Sequence, residues 1–264
     1  MTAAAIKPRD TRPSRVTSHV ARRRERQASA ADAGYADHQV TLEALTADII
    51  ACRKCARLVR CRERAAADPP KRYAAAAYWG RPITGFGDPR AKLLVLGLAP
   101  AANGGNRTGR VFTGDRSGDW LYGALHRAGF ANQAASTGRD DGLVLTNAYV
   151  SNVVRCAPPD NKPTPKERDR CLRYLERELA LLADVKVVLA LGGFAWDGFL
   201  YAAETFGHAV PKPRPKFGHA ARTDIGPYVV LGSYHVSQQN TFTGRLTEPM
   251  LDDVFAKARG IVER

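Results

Sequence analysis

Four short apolar runs stand out along the chain: Leu93–Gly97, Leu143–Val150, Val185–Leu191 and Tyr228–Tyr234. Each is nearly continuous in Val, Leu, Ile and Ala rather than alternating, which predicts strands of a parallel sheet buried on both faces. Between and after them, apolar positions recur at helical spacing. Asp119–Gly129 carries Trp120, Leu121 and Leu125 on that period, and Phe194–Phe206 and Glu248–Val262 repeat it. Pro165–Ala183 follows Thr164, so an N-cap, a proline at the first helical position and the capping-box residue Glu167 arrive in order. Upstream, Leu42, Leu45, Ile49, Ile50 and Leu58 predict one helix from about Thr41 to Ala66. Strands alternating with helices predict an α/β fold, a three-layer αβα sandwich around a short, mainly parallel four-stranded sheet.

Residues 1–38 lack this periodicity and hold the cluster Arg22-Arg23-Arg24-Glu25-Arg26. They read as a disordered basic arm, leaving 39–264 as a single folded domain. Of the 264 residues 44% are apolar, enough for a substantial core. The 40 basic and 26 acidic residues give a net charge of +14. That surplus points to a polyanionic partner, nucleic acid first and an anionic membrane second. No apolar run approaches the roughly 18 residues of a membrane helix. The start, MTAAAIKPRDTRPSRV, lacks the apolar stretch of a secretory signal. Its Arg and Ala content resembles that of a mitochondrial transit peptide, but the expectation adopted is a monomeric cytoplasmic protein, bacterial and associated with the nucleoid.

Five cysteines, an odd number without a secretory signal, argue against a disulfide framework. Cys52 and Cys55 form a CxxC placed on one turn of the first helix. Cys156 falls in the loop after the second strand, and Cys171 on the helix that this loop feeds. Four thiolates brought together in this way suit either a [4Fe–4S] cluster or a structural zinc ion, and the spacing does not choose between them. Cys61, two turns beyond Cys52, is a possible replacement ligand.

Two loops leave strand ends, and the first of them is glycine-rich. GLAPAANGGNRTGRVFTGD (97–115) follows the first strand and ends on Asp115, with Phe112 just before it. SYHVSQQNTFTGRLT (233–247) follows the fourth and carries His235. Glycines at the carboxyl end of the first strand let backbone amides approach a ligand, and with an acid in one loop and a histidine in the other the two predict one site built from two strand ends. An aspartate here also serves as a helix N-cap, and a histidine as a structural residue, so both readings stand beside the catalytic one.

These two loops, with NVVRCAPPDNKPTP (152–165) and the cysteine pattern, resemble the family 5 uracil-DNA glycosylases of bacteria and archaea over roughly residues 40–262. Family 4 enzymes place an acid directly after the first glycine of the first loop. That position is Leu98 here, and the family 5 pattern points instead to Asp115. One departure is Asn103, where the family commonly has histidine.

The resemblance implies a single catalytic domain of the uracil-DNA glycosylase fold with a [4Fe–4S] cluster on Cys52, Cys55, Cys156 and Cys171. It implies a DNA-repair enzyme that flips uracil, and deaminated bases such as hypoxanthine or xanthine, out of double-stranded or single-stranded DNA and hydrolyses the N-glycosidic bond. Phe112 is expected to stack on the flipped base. The amides of Gly97, Leu98 and Ala99 and the side chains of Asn152 or Asn161 are expected to read its edge. His235 would hydrogen-bond the charge developing on the base, and Asp115 would stabilise the cationic sugar or orient water. Leu246 is expected to enter the duplex as a wedge, with Arg245 or Ser237 on phosphate. The competing readings are a metal-cluster protein that binds damaged DNA without cutting it, and an unrelated α/β hydrolase acting on a nucleotide or nucleoside.

Overall fold

The computed structural model describes residues 41–264, and the expected basic arm lies outside the described residues. At its centre is a six-stranded sheet of order β1-β3-β2-β4-β6-β5. Strands β2 (Leu93–Gly97), β3 (Ala148–Asn152), β4 (Val187–Leu191) and β6 (Tyr228–Ser233) run parallel and correspond to the four apolar runs. Two edge strands, β1 (Phe86–Gly87) and β5 (Arg222–Ile225), pair antiparallel and raise the expected four strands to six. Neither has an apolar run: β1 is two residues long, and three of the four residues of β5 are polar. The third strand begins later than expected because Asn147 adopts a left-handed conformation (φ 57°) just before it.

The period of the central strands sets the layers. In β2, Leu93 and Val95 enter one apolar cluster, Leu94 and Leu96 the other. The first cluster lies under α4 (Arg116–Arg127) and α8 (Glu248–Val262), the second under α5 (Pro165–Leu181) and α6 (Gly193–Thr205). Burial of each such Leu or Val contributes about 1.5–3 kcal/mol. Helix α5 starts as expected: Thr164 Oγ1 accepts from the Glu167 amide, and the Glu167 carboxylate accepts from the Thr164 amide. Among the described residues no helix is long and apolar enough to cross a membrane.

The first helix departs from expectation. It is two helices, α1 (Leu42–Ile50) and α2 (Ala56–Ala67), with Cys55 as the N-cap of the second. Cys52 and Cys55 therefore bracket a break instead of sharing a helical turn. Short helices also form within the two strand-end loops, α3 (Gly105–Thr108) in the first and α7 (Gln238–Phe242) in the second.

Candidate active site

The carboxyl ends of β2, β3 and β6 converge, and the chain leaving each one lines a cavity of about 580 Å³. This is the position where open α/β sheets hold ligands. Leu98, Ala99, Phe112 and Asp115 come from the first loop, Asn152 and Asn161 from the β3 end, and His235 and Ser237 from the last loop. Gly97 lies beneath: a Cβ there would stand 2.4 Å from Asn152 Oδ1 and 2.5 Å from the Phe112 ring, so only glycine admits both side chains.

Phe112 is 8% exposed and has a φ of 48°, an uncommon conformation for a bulky residue. Its neighbours hold it there. The Tyr122 hydroxyl donates to the Val111 carbonyl at 2.8 Å, and Gly118 lets α4 close onto the Phe112 carbonyl, where a Cβ would come within 2.0 Å. The Phe112 and His235 rings lie 6.1 Å apart, tilted by 36°, so an aromatic face and an imidazole flank the same space. Asn152 is 2% exposed, and its Oδ1 accepts no hydrogen bond from a described residue. A buried amide oxygen left free next to a cavity is set to accept from an N–H of a ligand.

Asp115 holds both roles open to it in the sequence. Its Oδ1 accepts from the Gly118 amide at 3.2 Å, so it caps α4, while the carboxylate lines the cavity. Burial raises its pKa, and the Gly118 and Ser117 amides oppose that rise. Burial lowers the His235 pKa to about 4, so the imidazole is neutral near pH 7 and can donate from one nitrogen only. The Asp115 loop is braced from behind by buried Arg110, which donates to Thr113 Oγ1, to Ser136 Oγ and to the Asp141 carboxylate. Although burial works against it, that contact and three amides hold the Asp141 carboxyl at about 2.

A second cavity of about 320 Å³ adjoins the first and shares Asp115, Arg116 and Asn161 with it. Arg72, Tyr73 and Asn103 line it, none of them marked by the sequence for this place except Asn103 as the departing residue. Asn103 is held there by the Tyr78 hydroxyl, which donates to its Oδ1 at 2.8 Å. Arg116 and Gln238 also line both cavities and were missed. Arg116 follows Asp115 directly, so adjacency to a candidate catalytic residue was the available signal.

Leu246 is not a wedge. It is fully buried in the apolar cluster under α8, and its amide donates to the Asn240 carbonyl. Thr247 caps α8, so Leu246 and the equally buried Leu251 occupy the positions of a hydrophobic staple. The exposed apolar side chain of this loop is Phe242, at 65%, with the Arg116 guanidinium 4.8 Å from its ring centre. Ser237 caps α7 by accepting from the Asn240 amide, and exposed Arg245 lies over the Tyr234 ring.

On the other side of the first loop, Cys52, Cys55, Cys156 and Cys171 line one pocket, while Cys61 lies apart in the 320 Å³ cavity. Among the described residues no three His, Cys, Asp or Glu side chains stand closely enough for a single metal ion. Burial pushes the Cys156 thiol up to about 11 and the Cys171 thiol up to about 12. Yet both sulfurs receive N–H donors, Cys156 from the Arg62 guanidinium at 3.3 Å and Cys171 from the Arg155 amide at 3.4 Å. Arg62 is 2% exposed, its Nε has no partner among the described residues, and the Glu63 carboxylate stays 3.9 Å away. A buried cation with so little compensation calls for an anion, which a metal centre on four thiolates provides. The donor set thus fits an anionic metal–thiolate group.

A family model of the Uracil DNA glycosylase superfamily matches residues 84–259. The chain is 52% identical to a Type-5 uracil-DNA glycosylase of Mycobacterium bovis over 217 residues, which cover 81% of this chain and 80% of the relative. It is 45% identical to the Type-5 uracil-DNA glycosylase of Thermus thermophilus over 223 residues, 82% and 96% of the two chains. A third similar protein, the Type-5 uracil-DNA glycosylase of Pyrobaculum aerophilum, is 40% identical over 210 residues, 80% and 88%.

Proposed function

Since the chain belongs to the uracil-DNA glycosylase superfamily, we propose that the cavity shared by the β2, β3 and β6 ends is where it excises a flipped base. The protein is a DNA-repair glycosylase that removes uracil. One observation carries the site assignment: Asp115, Phe112, Asn152 and His235, drawn from three strand ends, line the same 580 Å³ cavity.

Extruding a nucleotide costs a few kcal/mol of stacking and pairing, which contacts in the pocket must offset. Phe112 supplies an apolar face for the base, and the free Oδ1 of Asn152 accepts from its ring N–H. Cleavage breaks the C1′–N bond, the electron pair leaves with the base, and positive charge develops on the sugar. Neutral His235 donates a hydrogen bond to the base oxygen on which the negative charge gathers. Asp115, as carboxylate, stabilises the sugar cation and orients water, whose oxygen bonds to C1′ while its proton goes to the departed base. The rate enhancement is then largely electrostatic, from groups already in place.

Around the chemistry, Phe242 takes the place assigned to Leu246. Its exposed ring fills the gap left in the stack, while Arg116, Ser237 and Arg245 face the backbone phosphates. A cavity of this volume also admits a purine. Hypoxanthine and xanthine are accordingly further substrates in this reading, in double- or single-stranded DNA. The four cysteines would hold a [4Fe–4S] cluster, favoured over zinc because the thiols surround a pocket instead of meeting at one point. The cluster would supply a rigid cross-link between the α1–α2 break, the β3 loop and α5.

The test is excision from a duplex oligonucleotide carrying one uracil, hypoxanthine or xanthine, read by alkaline cleavage of the abasic strand. Wild type should cut, and Asp115→Ala should lose about 10²–10⁴-fold in rate with lesion binding retained. Lesion binding without cutting by wild type would favour the non-catalytic recognition protein. Equal loss of binding and cutting in Asp115→Ala would remove the catalytic role of that residue.

A further inference from the structure

Resting on the metal–thiolate reading above, we propose that Arg62 and Asn106 couple the four-cysteine centre to the position of Asp115. Arg62, on α2, reaches both ways. Its guanidinium donates to Cys156 Sγ and to the Cys52 carbonyl, each at 3.3 Å. Its own carbonyl accepts from Asn106 Nδ2 at 3.1 Å. Asn106 is fully buried within α3, in the middle of the loop that ends on Asp115.

From Asn106 the contact continues through the side chains of the next two residues, the Arg107 guanidinium and the Thr108 hydroxyl. Arg107 donates to the Gly114 carbonyl at 2.8 Å, and the Thr108 hydroxyl donates to the Thr113 carbonyl at 3.1 Å. Gly104 packs so closely on the Asp115 carboxylate that a Cβ there would stand 1.9 Å from Oδ2. The turn of α3 is therefore pressed between the cysteine pocket and Asp115. Four residues cannot hold a helix by themselves, so α3 depends on what it is tied to.

Charge gives the coupling its direction. With an anionic centre on the thiolates, the Arg62 guanidinium has its counter-ion and α2 stays where Asn106 can reach it. Without that centre, the buried guanidinium has no closer carboxylate among the described residues than Glu63 at 3.9 Å and an unpartnered Nε, and loses what holds it in place. Arg62 and Asn106 are positioning residues, since neither lines the base cavity.

The test uses the full chain as purified, with iron and zinc contents measured, and compares wild type with Asn106→Ala, Arg62→Lys and Arg62→Met. Asn106→Ala should keep the wild-type metal content and DNA affinity but lose on the order of tenfold or more in kcat for uracil excision, as expected when a catalytic group is displaced by a fraction of an ångström. Arg62→Lys should retain more metal than Arg62→Met. Hydrogen exchange at the Arg107, Thr108 and Gly109 amides, which close the α3 turn on Gly104 and Gly105, gives a readout independent of activity. Chelating the metal should speed their exchange in wild type and change it little in Asn106→Ala, where the tie is already cut. Equal acceleration in both proteins would overturn the coupling while leaving the metal reading intact. Equal metal in Arg62→Lys and Arg62→Met would overturn the counter-ion role. Fully active wild type purified without iron or zinc would overturn the metal reading and this proposal with it.

Discussion

Asp115 and His235 line one cavity from two different strand ends, and their environments move their titrations toward each other. Burial lifts the Asp115 carboxyl above its ordinary range and drops the His235 imidazole to about 4. An imidazole that worked as a cation would titrate near 6.5 and lose activity as pH rose past that value. The neutral form has the opposite sign: it is present at neutral pH and is lost only as pH falls toward 4. The carboxylate form of Asp115 is likewise lost on the acid side, above the usual 3.8. Single-turnover excision should therefore show no inflection near pH 6.5 from His235 and should decline on the acid side, where Asp115 protonates above its ordinary range and His235 takes up a proton at about 4. An inflection near 6.5 that His235→Gln abolishes would instead assign the work to a charged imidazole. At this scale the sequence was most informative. A carboxylate and a histidine in two strand-end loops were visible as residue types in context, whereas the free Oδ1 of Asn152 depends on tertiary packing.

At the scale of elements, the strands and most helices were legible because their apolar periods are strong. The errors fall where tertiary packing overrides a local pattern. ACRKC contains no glycine or proline to signal a break, yet the chain opens there and places Cys52 and Cys55 on the pocket shared with Cys156 and Cys171. Leu246 stands in a polar loop and reads as exposed, but the cap at Thr247 makes it a staple of α8. Its replacement, Phe242, is testable: Phe242→Ala should slow excision from duplex more than from single-stranded DNA, since only the duplex has a stack to hold open. Equal slowing on both substrates would give the ring some other task. The contact between α3 and Asp115 makes a second prediction. A methyl group at Gly104 would stand 1.9 Å from the Asp115 carboxylate, so Gly104→Ala sets it directly against that side chain. The side chain can swing away only by giving up its cap on α4, so the protein should remain folded with a Tm lowered by a few degrees. A carboxylate displaced by about 1 Å should cost on the order of 10²-fold in kcat. Wild-type kcat would show that the turn moves and Asp115 does not.

For the whole molecule, the basic surplus takes on a location. Residues 1–40 hold eight basic and four acidic side chains, so the remaining +10 of the +14 belongs to residues 41–264, the part that carries the cavities. Non-specific attraction to DNA is then a property of the folded unit as well as of the expected arm. Arg72 is a well-placed contributor: it lines the cavity next to Asp115 and its guanidinium lies 4.8 Å from the Tyr73 ring centre, with Arg107 at 4.4 Å from the same ring. An arginine held by stacking spends less conformational entropy when it meets a phosphate. If it neutralises one phosphate, Arg72→Gln should flatten the slope of log Kd against log salt by about 0.9 on duplex DNA. The loss should be the same for DNA with and without uracil, because a phosphate contact carries no base information. Single-turnover excision at saturating enzyme should stay at the wild-type rate, since Arg72 lines the neighbouring cavity and not the one that holds the base. An unchanged salt slope together with a slower saturated rate would move Arg72 from the DNA track into the chemistry and make the 320 Å³ cavity part of the reaction site.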